Sequence, residues 1–427
     1  MRRIRSTLVA SSSSPVPAGE GEAVAGSMDM RRIHVRLNPG QDARLLTHAA
    51  GVHDPWFLLF AGKLPLTVAA FPPLVTAEPL THEPTTLAAA LHAPGPLACL
   101  RVGGNRWVVA RGPFTSAAEP PPSGIAVYVN DFALSEAQPW RIPAAAWEVT
   151  GEPKPPEAPL QVDWRPLARG DFETALEEVL AGLQVKRWSK AILSVAERGQ
   201  VTLGDPAMLG RRALAPREQA ACWPYLFDEG HLGGFAGNTP ECLFTIQGNR
   251  LHTMALAGTA RPVERAHFEA DAKEIHEHQI VVDGLHEKVR AWGEVKAGPR
   301  EILNIGGLIH FITRFEVRVG EVNVNELLRT LHPTPAIGIL PRTEGNLAAL
   351  ARWRGRLAVP SRFGAPFGVQ WSGGLHMVVA IRGVWWSGND VWLPAGCGIV
   401  KGSGLEREWR ELSLKRRWVK QALGLPS

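Results

Sequence analysis

The sequence predicts an α+β fold, and three observations carry that reading. Apolar runs recur in pairs joined by short Gly- and Asn-containing turns, the pattern of β-hairpins. Long stretches of helical periodicity stand apart from these hairpins, whereas a doubly wound parallel sheet would alternate helices with single strands. No internal repeat is evident, and 427 residues suffice for one large domain or two.

The elements follow in chain order. Residues 1–29, containing SSSSPVPAGEGEAVAG, are expected to be a disordered extension, with Met28 or Met30 as alternative starts. The opening arginines are not followed by an apolar h-region, so no secretory signal is expected. Residues 30–160 are read as the N-terminal part of the fold. Here short apolar runs alternate with turns, in WFLLFAG, LACLRVGGNRWVVARG and GIAVYVND, the second a hairpin through Gly-Gly-Asn. The Pro-rich stretch TGEPKPPEAPL closes this part as a connector.

From residue 161 onward, DFETALEEVLAGLQVKRW places Phe172, Leu176, Val179, Leu180 and Leu183 on one helical face. KAILSVAE reads as a strand. ECLFTIQGNRLHTMALAGT reads as a hairpin turning at Gly248-Asn249, and HMVVAIRGVWWSGNDVWLPAGCGIV as another turning at 387–390. HFITRFEVRVG sets Phe311, Phe315, Val317 and Val319 against Arg314, Glu316 and Arg318, a half-buried strand. A final helix carries the stripe Leu405, Trp409, Leu412, Val419 and Leu423, with Glu408 and Glu411 on its flank.

Composition bounds the function. The formal net charge of +5 is mild, and basic residues are scattered among acidic ones. That favours a small anionic ligand over a nucleic acid, which would want a basic stripe. The four cysteines, Cys99, Cys222, Cys242 and Cys397, show no C-x-x-C spacing, so neither a disulfide framework nor a zinc site is indicated. No apolar run reaches the length of a membrane span. The protein is read as cytoplasmic, without a membrane or nucleic-acid partner.

The chemistry centres on carboxylates. Glu274 and Glu277, and far downstream Glu408 and Glu411, stand one helical turn apart. On facing helices two such pairs can hold one Mg²⁺ through oxygen ligands and waters, leaving room for an anionic substrate. Each pair alone is the ordinary sight of a solvated helix side, and Glu411 can simply pair with Lys415 at i+4. Lys190, Glu241 and Arg382 carry the same caution. Arg382 is the least bland, because VVAIRG reads as a strand and a buried guanidinium there needs an anionic partner. Other motifs fail. AGCGIVKG misses the dinucleotide fingerprint by one residue and lacks the Gly-Lys-Ser/Thr end of a phosphate loop. His276 and His278 do not share a helix face, and no G-x-S-x-G elbow occurs.

Taken in order, KAILSVAE, GNTPECLF, ALAGTARP, EIHEHQIVVD, LHPTPAIGILPR, VVAIRG and AGCGIVKGSGLEREWRELSLK run from residue 190 to residue 415. This series resembles the chorismate-utilising enzymes: anthranilate synthase component I, aminodeoxychorismate synthase component I, isochorismate synthase and salicylate synthase. The resemblance covers residues 162–425. It implies an anthranilate synthase component I-like α/β sandwich, two antiparallel sheets with helices packed outside, and makes residues 161–427 the chorismate-binding catalytic core. It further implies that Glu277 and Glu411 are direct Mg²⁺ ligands, with Glu274 and Glu408 holding the metal's waters. Arg382 resembles an arginine that clamps one substrate carboxylate bidentately, and Lys415 a lysine that meets the other. Gly258, Thr259, Gly396 and Gly398 match positions where backbone approaches the ligand, and His310 matches a histidine near the pyruvyl side.

Two positions divide the family's reactions. Lys190 matches a general base on water, a task that requires burial or nearby positive charge to depress its pKa. Glu241 matches the general acid for the leaving C4 hydroxyl, which an apolar pocket must keep protonated. Ala257 stands where the aminodeoxychorismate branch commonly carries a nucleophilic lysine. No glutamine amidotransferase domain is present, and no such subunit is expected. The resemblance therefore implies an Mg²⁺-dependent isochorismate synthase of menaquinone or siderophore biosynthesis, a monomer or weak homo-oligomer, adding water at C2 of chorismate as hydroxide leaves C4. Salicylate synthase, which goes on to eliminate pyruvate, is the alternative. A catalytically silent chorismate-binding subunit would have lost its acid–base and metal positions, and all of them are present. Two departures stand out: GTARPVERAHFEAD lacks the usual Arg-Gly, and Phe363 replaces a common tyrosine.

Overall fold

Turn chemistry decides where the strands reverse. At Gly248 and Gly388 φ is 57° and 54°, a left-handed backbone that glycine adopts without a Cβ clash. Across these turns Cys242–Gln247 pairs with Arg250–Ala260, and Gly383–Ser387 with Asp390–Ile399, both antiparallel. Leu97–Gly103 and Arg106–Ala117 form the third hairpin read from the sequence.

The computed structural model describes residues 86–426 except 93–94, 168, 216–220 and 306, together with the backbone strands at 30–36, 42–48, 57–61 and 64–65. The chain divides into two units, Met1–Pro79 and Leu80–Ser427. In the first, Met30–Arg36, Asp42–His48, Phe57–Ala61 and Leu64–Pro65 form an antiparallel meander. The extension expected at 1–29 lies outside the described residues. The second unit holds both the strands between 97 and 150 and those after the Pro-rich connector, hydrogen-bonded to one another.

The paired strands of this unit follow one continuous antiparallel path. It runs from Gln161–Trp164 through Lys190–Leu203, Asp390–Ile399, Gly383–Ser387, Gly234–Thr239, Trp223–Asp228 and Leu97–Gly103 to Arg106–Ala117. It continues through Trp140–Thr150, Ala126–Val129, Pro366–Trp371, Gly374–Val379, Cys242–Gln247 and Arg250–Ala260 to Leu308–Val319. The Arg106–Ala117 and Trp140–Thr150 ribbon is the corner. Its register shifts between Arg111 and Phe114, the way strands switch layers in a sandwich.

The two arms fold face to face. Leu100, Val108, Phe227 and Phe235 of one arm and Val127, Phe367, Val369 and Val378 of the other share one core cluster. Helices cover the outer faces. Phe172 and Leu176 of Arg169–Gln184, Trp353 of Glu344–Arg356 and Leu412 of Leu405–Ala422 pack against Leu193, Val195 and Ala395. Val281 and Leu285 of Ala272–Val289 and Leu327 of Val324–Leu331 pack against Phe244, Phe315 and Met377. The sandwich with outer helices is thus realised as two layers joined at one corner. All four cysteines are free and buried. Among the described residues no helix is long and apolar enough to cross a membrane.

Candidate active site

Twice the chain passes between the layers at nearly the same place. Gly234–Thr239 pairs with Gly383–Ser387 in the first layer, whereas Cys242–Gln247 pairs with Gly374–Val379 in the second. One crossing is therefore Pro240-Glu241 and the other is residues 380–382. The crossings brace each other: Val379 N–H donates to the Glu241 carbonyl at 3.0 Å, and Asn238 N–H to the Arg382 carbonyl at 3.1 Å. The sequence reading puts Arg382 on a strand, and here it is corrected. Arg382 lies in the crossing with φ of 54°, because the backbone must leave one ladder to enter the other. A left-handed non-glycine residue costs on the order of 1–3 kcal/mol and persists only where its surroundings impose it.

This crossing delivers a buried guanidinium. Arg382 Nη2 donates to His310 Nε2 at 3.0 Å, Trp418 lies 5.5 Å beneath, and Nη1 is buried without a hydrogen-bond partner. Burial lowers its pKa to about 10, so it stays charged at neutral pH. An unpaired N–H on a buried cation is costly, and a planar fork matches a carboxylate. His310 Nδ1 faces the Gly258 carbonyl at 2.7 Å. Burial and the Arg382 charge hold the imidazole well below its usual pKa, so it is neutral, donating from Nδ1 and accepting at Nε2.

Glu241, on the neighbouring crossing, is buried. Burial pushes its pKa up to about 7 against the opposing pull of Thr334, Lys190 and Lys415; Thr334 Oγ1 donates to its Oε1 at 3.0 Å. A carboxyl that keeps its proton near neutrality is what a general acid requires.

The two Glu pairs meet across facing helices. Asp271 caps Ala272–Val289, accepting from the N–H groups of Lys273 and Glu274. Glu408 is fully buried at 0% exposure, on the inward face of Leu405–Ala422; the sequence reading places it on the flank, as apolar stripes assign charges to solvent. The glutamates gather round one ammonium. Lys273 Nζ stands 3.1 Å from Glu274 Oε1, 3.3 Å from Glu277 Oε2 and 3.2 Å from Glu408 Oε1. Burial opposes its charge, but Glu277, Glu408, Glu411 and Glu274 outweigh it and raise its pKa above the ordinary lysine value. Lys190 Nζ reaches Glu277 Oε1 at 3.0 Å, and Lys415 Nζ reaches Glu411 Oε1 at 2.5 Å. Burial disfavours ionised Glu277, yet Lys190 and Lys273 hold its pKa below the usual range. For Glu274 and Glu408 burial prevails and the pKa rises.

Among the described residues no three acidic, imidazole or thiol groups stand close enough to hold a metal ion as they are. The Lys273 ammonium takes the central place. The donor set nevertheless fits a hard divalent cation such as Mg²⁺: it is all carboxylate, and the fully buried Glu408 has a single ion-pair partner among the described residues, Lys273.

A cavity of about 770 Å³, counted out to its mouth, is lined by Glu241, Gly258, Thr259, Glu277, His310, Arg382, Gly396, Gly398, Glu411 and Lys415. Lys190, Glu274 and Glu408 stand behind this wall. Gly398 shows why: a Cβ there would meet Glu277 Oε1 at 1.9 Å and Lys190 Cε at 3.1 Å. The glycine that the sequence reading assigns to ligand approach makes room for a protein carboxylate. Gly396 accepts from Lys415 Nζ through its carbonyl at 2.8 Å, and Thr259 N–H donates to Glu274 Oε2 at 2.9 Å. Phe363 lines the wall without the hydroxyl a tyrosine would bring. Three side chains here have no counterpart in the sequence reading. Lys273 is signalled by its i,i+4 spacing to Glu277, and Thr334 by its place in HPTPA; nothing signals Trp418.

Comparison with known proteins now decides the family. The family described as chorismate binding enzyme matches residues 140–424, well over half of the chain. The chain belongs to the chorismate-binding enzymes. Its curated relatives include the salicylate biosynthesis isochorismate synthase of Pseudomonas aeruginosa, 27% identical over 293 residues, 64% of this chain and 58% of that protein. Isochorismate synthase EntC of Escherichia coli is 32% identical over 210 residues, 45% of this chain and 52% of the relative. This chorismate-binding enzyme thus spans 52% to 58% of the length of those relatives. Among solved structures, MenF, the menaquinone-specific isochorismate synthase from Escherichia coli, matches with a TM-score of 0.66 at 20% identity, over 77% of this chain and 88% of that one. DhbC from Bacillus anthracis matches with a TM-score of 0.67 at 19% identity, over 79% and 99%. At such identities the likeness shows the fold, the α+β sandwich common to these enzymes.

Proposed function

We propose that this chain is an isochorismate synthase, isomerising chorismate by adding water at C2 and losing the C4 hydroxyl. One observation carries the reading: a single cavity joins a cationic fork with an unpartnered N–H to a carboxyl whose pKa is raised to about 7. The names of the curated relatives support it.

Arg382 binds one carboxylate of the dianion through Nη1, held in orientation by neutral His310 and Trp418. Lys190, which reaches Glu277 at 3.0 Å, serves as the base on the water whose oxygen attacks C2. The C1–C2 double bond shifts to C1–C6 and the C5–C6 double bond to C4–C5. The C4 hydroxyl leaves as water with the proton of Glu241, so one water enters and one departs. Lys190 and Glu241 then reset by exchange with solvent. Glu277 and Glu411, backed by Glu274 and Glu408, would hold Mg²⁺, which would add positive charge beside Lys415 for the second carboxylate. Ala257 in the wall leaves no amine for a covalent intermediate, which supports water over the aminodeoxychorismate route. Water as co-substrate removes the need for an ammonia-supplying subunit. Four free buried thiols suit a cytoplasmic protein.

General acid–base groups contribute roughly 10²- to 10⁴-fold, so Lys190→Ala and Glu241→Gln should each cost turnover on that scale. Calorimetry should show chorismate still bound by both variants. Full activity in either would remove that residue from the chemistry.

A further inference from the structure

We propose that Lys273 is the site's built-in counter-ion, an exchangeable ammonium that holds the cation position among the glutamates and withdraws when a divalent cation binds. It thereby sets how tightly the site takes metal. This rests on the metal reading above and goes beyond it, because it assigns a role to a side chain that is neither ligand nor acid–base group.

The charge count singles Lys273 out. Lys190 pairs with Glu277 at 3.0 Å, Lys415 with Glu411 at 2.5 Å, and Arg407 with Glu274 at 2.8 Å. Glu408 has Lys273 as its ion-pair partner, at 3.2 Å, and no other among the described residues. Lys273 also touches Glu274 and Glu277, so its ammonium bridges carboxylates of both helices, as a divalent cation would. The bridge is one of charge, since neither Glu408 oxygen accepts a hydrogen bond from it.

Ammonium and divalent cation cannot share this place. Their like charges would stand within a few ångströms in a buried setting, where repulsion is weakly screened. The lysine head rides on a flexible four-carbon stem, so it can leave without moving the helix. The adjoining cleft, lined by Glu264, Asp271, Glu274 and Glu406 together with Arg407 and Arg410, is a polar space that can receive it. With the ammonium in place, the buried glutamates stay neutralised when no metal is bound. The consequence is a weaker and more reversible metal site than four glutamates alone would form.

The test uses the full chain, stripped with EDTA, with MgCl₂ titrated by calorimetry and melting followed with and without metal. Lys273→Met should bind Mg²⁺ at least tenfold tighter than the wild type. It should also melt lower in EDTA and recover in Mg²⁺. Lys273→Arg keeps the charge and should keep the wild-type affinity. A residue with a merely structural role would, when lost, leave metal binding unchanged or weaken it. Equal or weaker binding by Lys273→Met, with the wild type binding normally, overturns the counter-ion and spares the metal site. No Mg²⁺ binding by either protein overturns both. Should Lys273→Met fail to fold, Lys273→Gln carries the same expectation, since it too removes the charge.

Discussion

The Thr334 hydroxyl donates to Glu241 Oε1 at 3.0 Å and so favours the ionised carboxylate. Thr334→Val removes that donor, and the Glu241 pKa rises further. The proton required at the C4 hydroxyl then persists to higher pH. We predict that the alkaline limb of kcat/KM for chorismate moves upward in the pH–rate profile; an unmoved limb would mean that another group sets it. The same carboxyl bears on stability. Its folded pKa of about 7 lies above the reference 4.5, so below pH 4.5 both folded and unfolded states are protonated and nothing is lost. Stability falls as pH rises through 7, by on the order of 3 kcal/mol once the buried group must ionise. Glu241→Gln should therefore melt above the wild type at pH 8, with the margin closing toward pH 4.5. Glu241 is recognisable in sequence by its motif, but its protonation follows from burial between two crossings that no local pattern reveals. Arg382 misleads for the same reason: the apolar residues before it read as one strand, and the change of layer is a long-range event.

At the scale of elements, the first turn of Ala272–Val289 carries both Lys273 and Glu274, so its cap positions the glutamate cluster. Asp271 accepts two backbone N–H groups there and also pairs with Arg407 at 2.7 Å. Loss of such a cap costs about 1 kcal/mol, so Asp271→Ala should lower the melting temperature, while Asp271→Ser, which still caps, should recover most of it. The Mg²⁺ titration midpoint should shift with the alanine variant, because the frayed turn bears the cluster. Equal melting of the alanine and serine variants would show that the cap is idle. The helices themselves are legible from apolar spacing, and the i,i+3 glutamates from helical geometry. The inward aim of Glu408 is not, since a helix stripe is read by its apolar members and charges are assigned to water. Lys273 escapes for a related reason: beside two glutamates it looks like an ordinary helix ion pair, and its contact with Glu408 bridges 135 positions of sequence.

At the scale of the whole molecule, hairpins are legible wherever Gly-Asn turns mark them, while the two crossings depend on strands that find each other across more than a hundred residues. The site lies where those crossings meet, so the fold places chemistry that local pattern only names. All the proposed site residues belong to the unit Leu80–Ser427. A protein comprising residues 80–427 should melt cooperatively and bind chorismate as the full chain does; an unfolded or non-binding product would show that the unit depends on residues 1–79. The central claim, isomerisation without cleavage, is tested most directly by chromatographic product analysis of the full chain with chorismate and Mg²⁺. The account predicts isochorismate accumulating with no pyruvate. Salicylate with stoichiometric pyruvate, or chorismate bound but unconsumed, would contradict it.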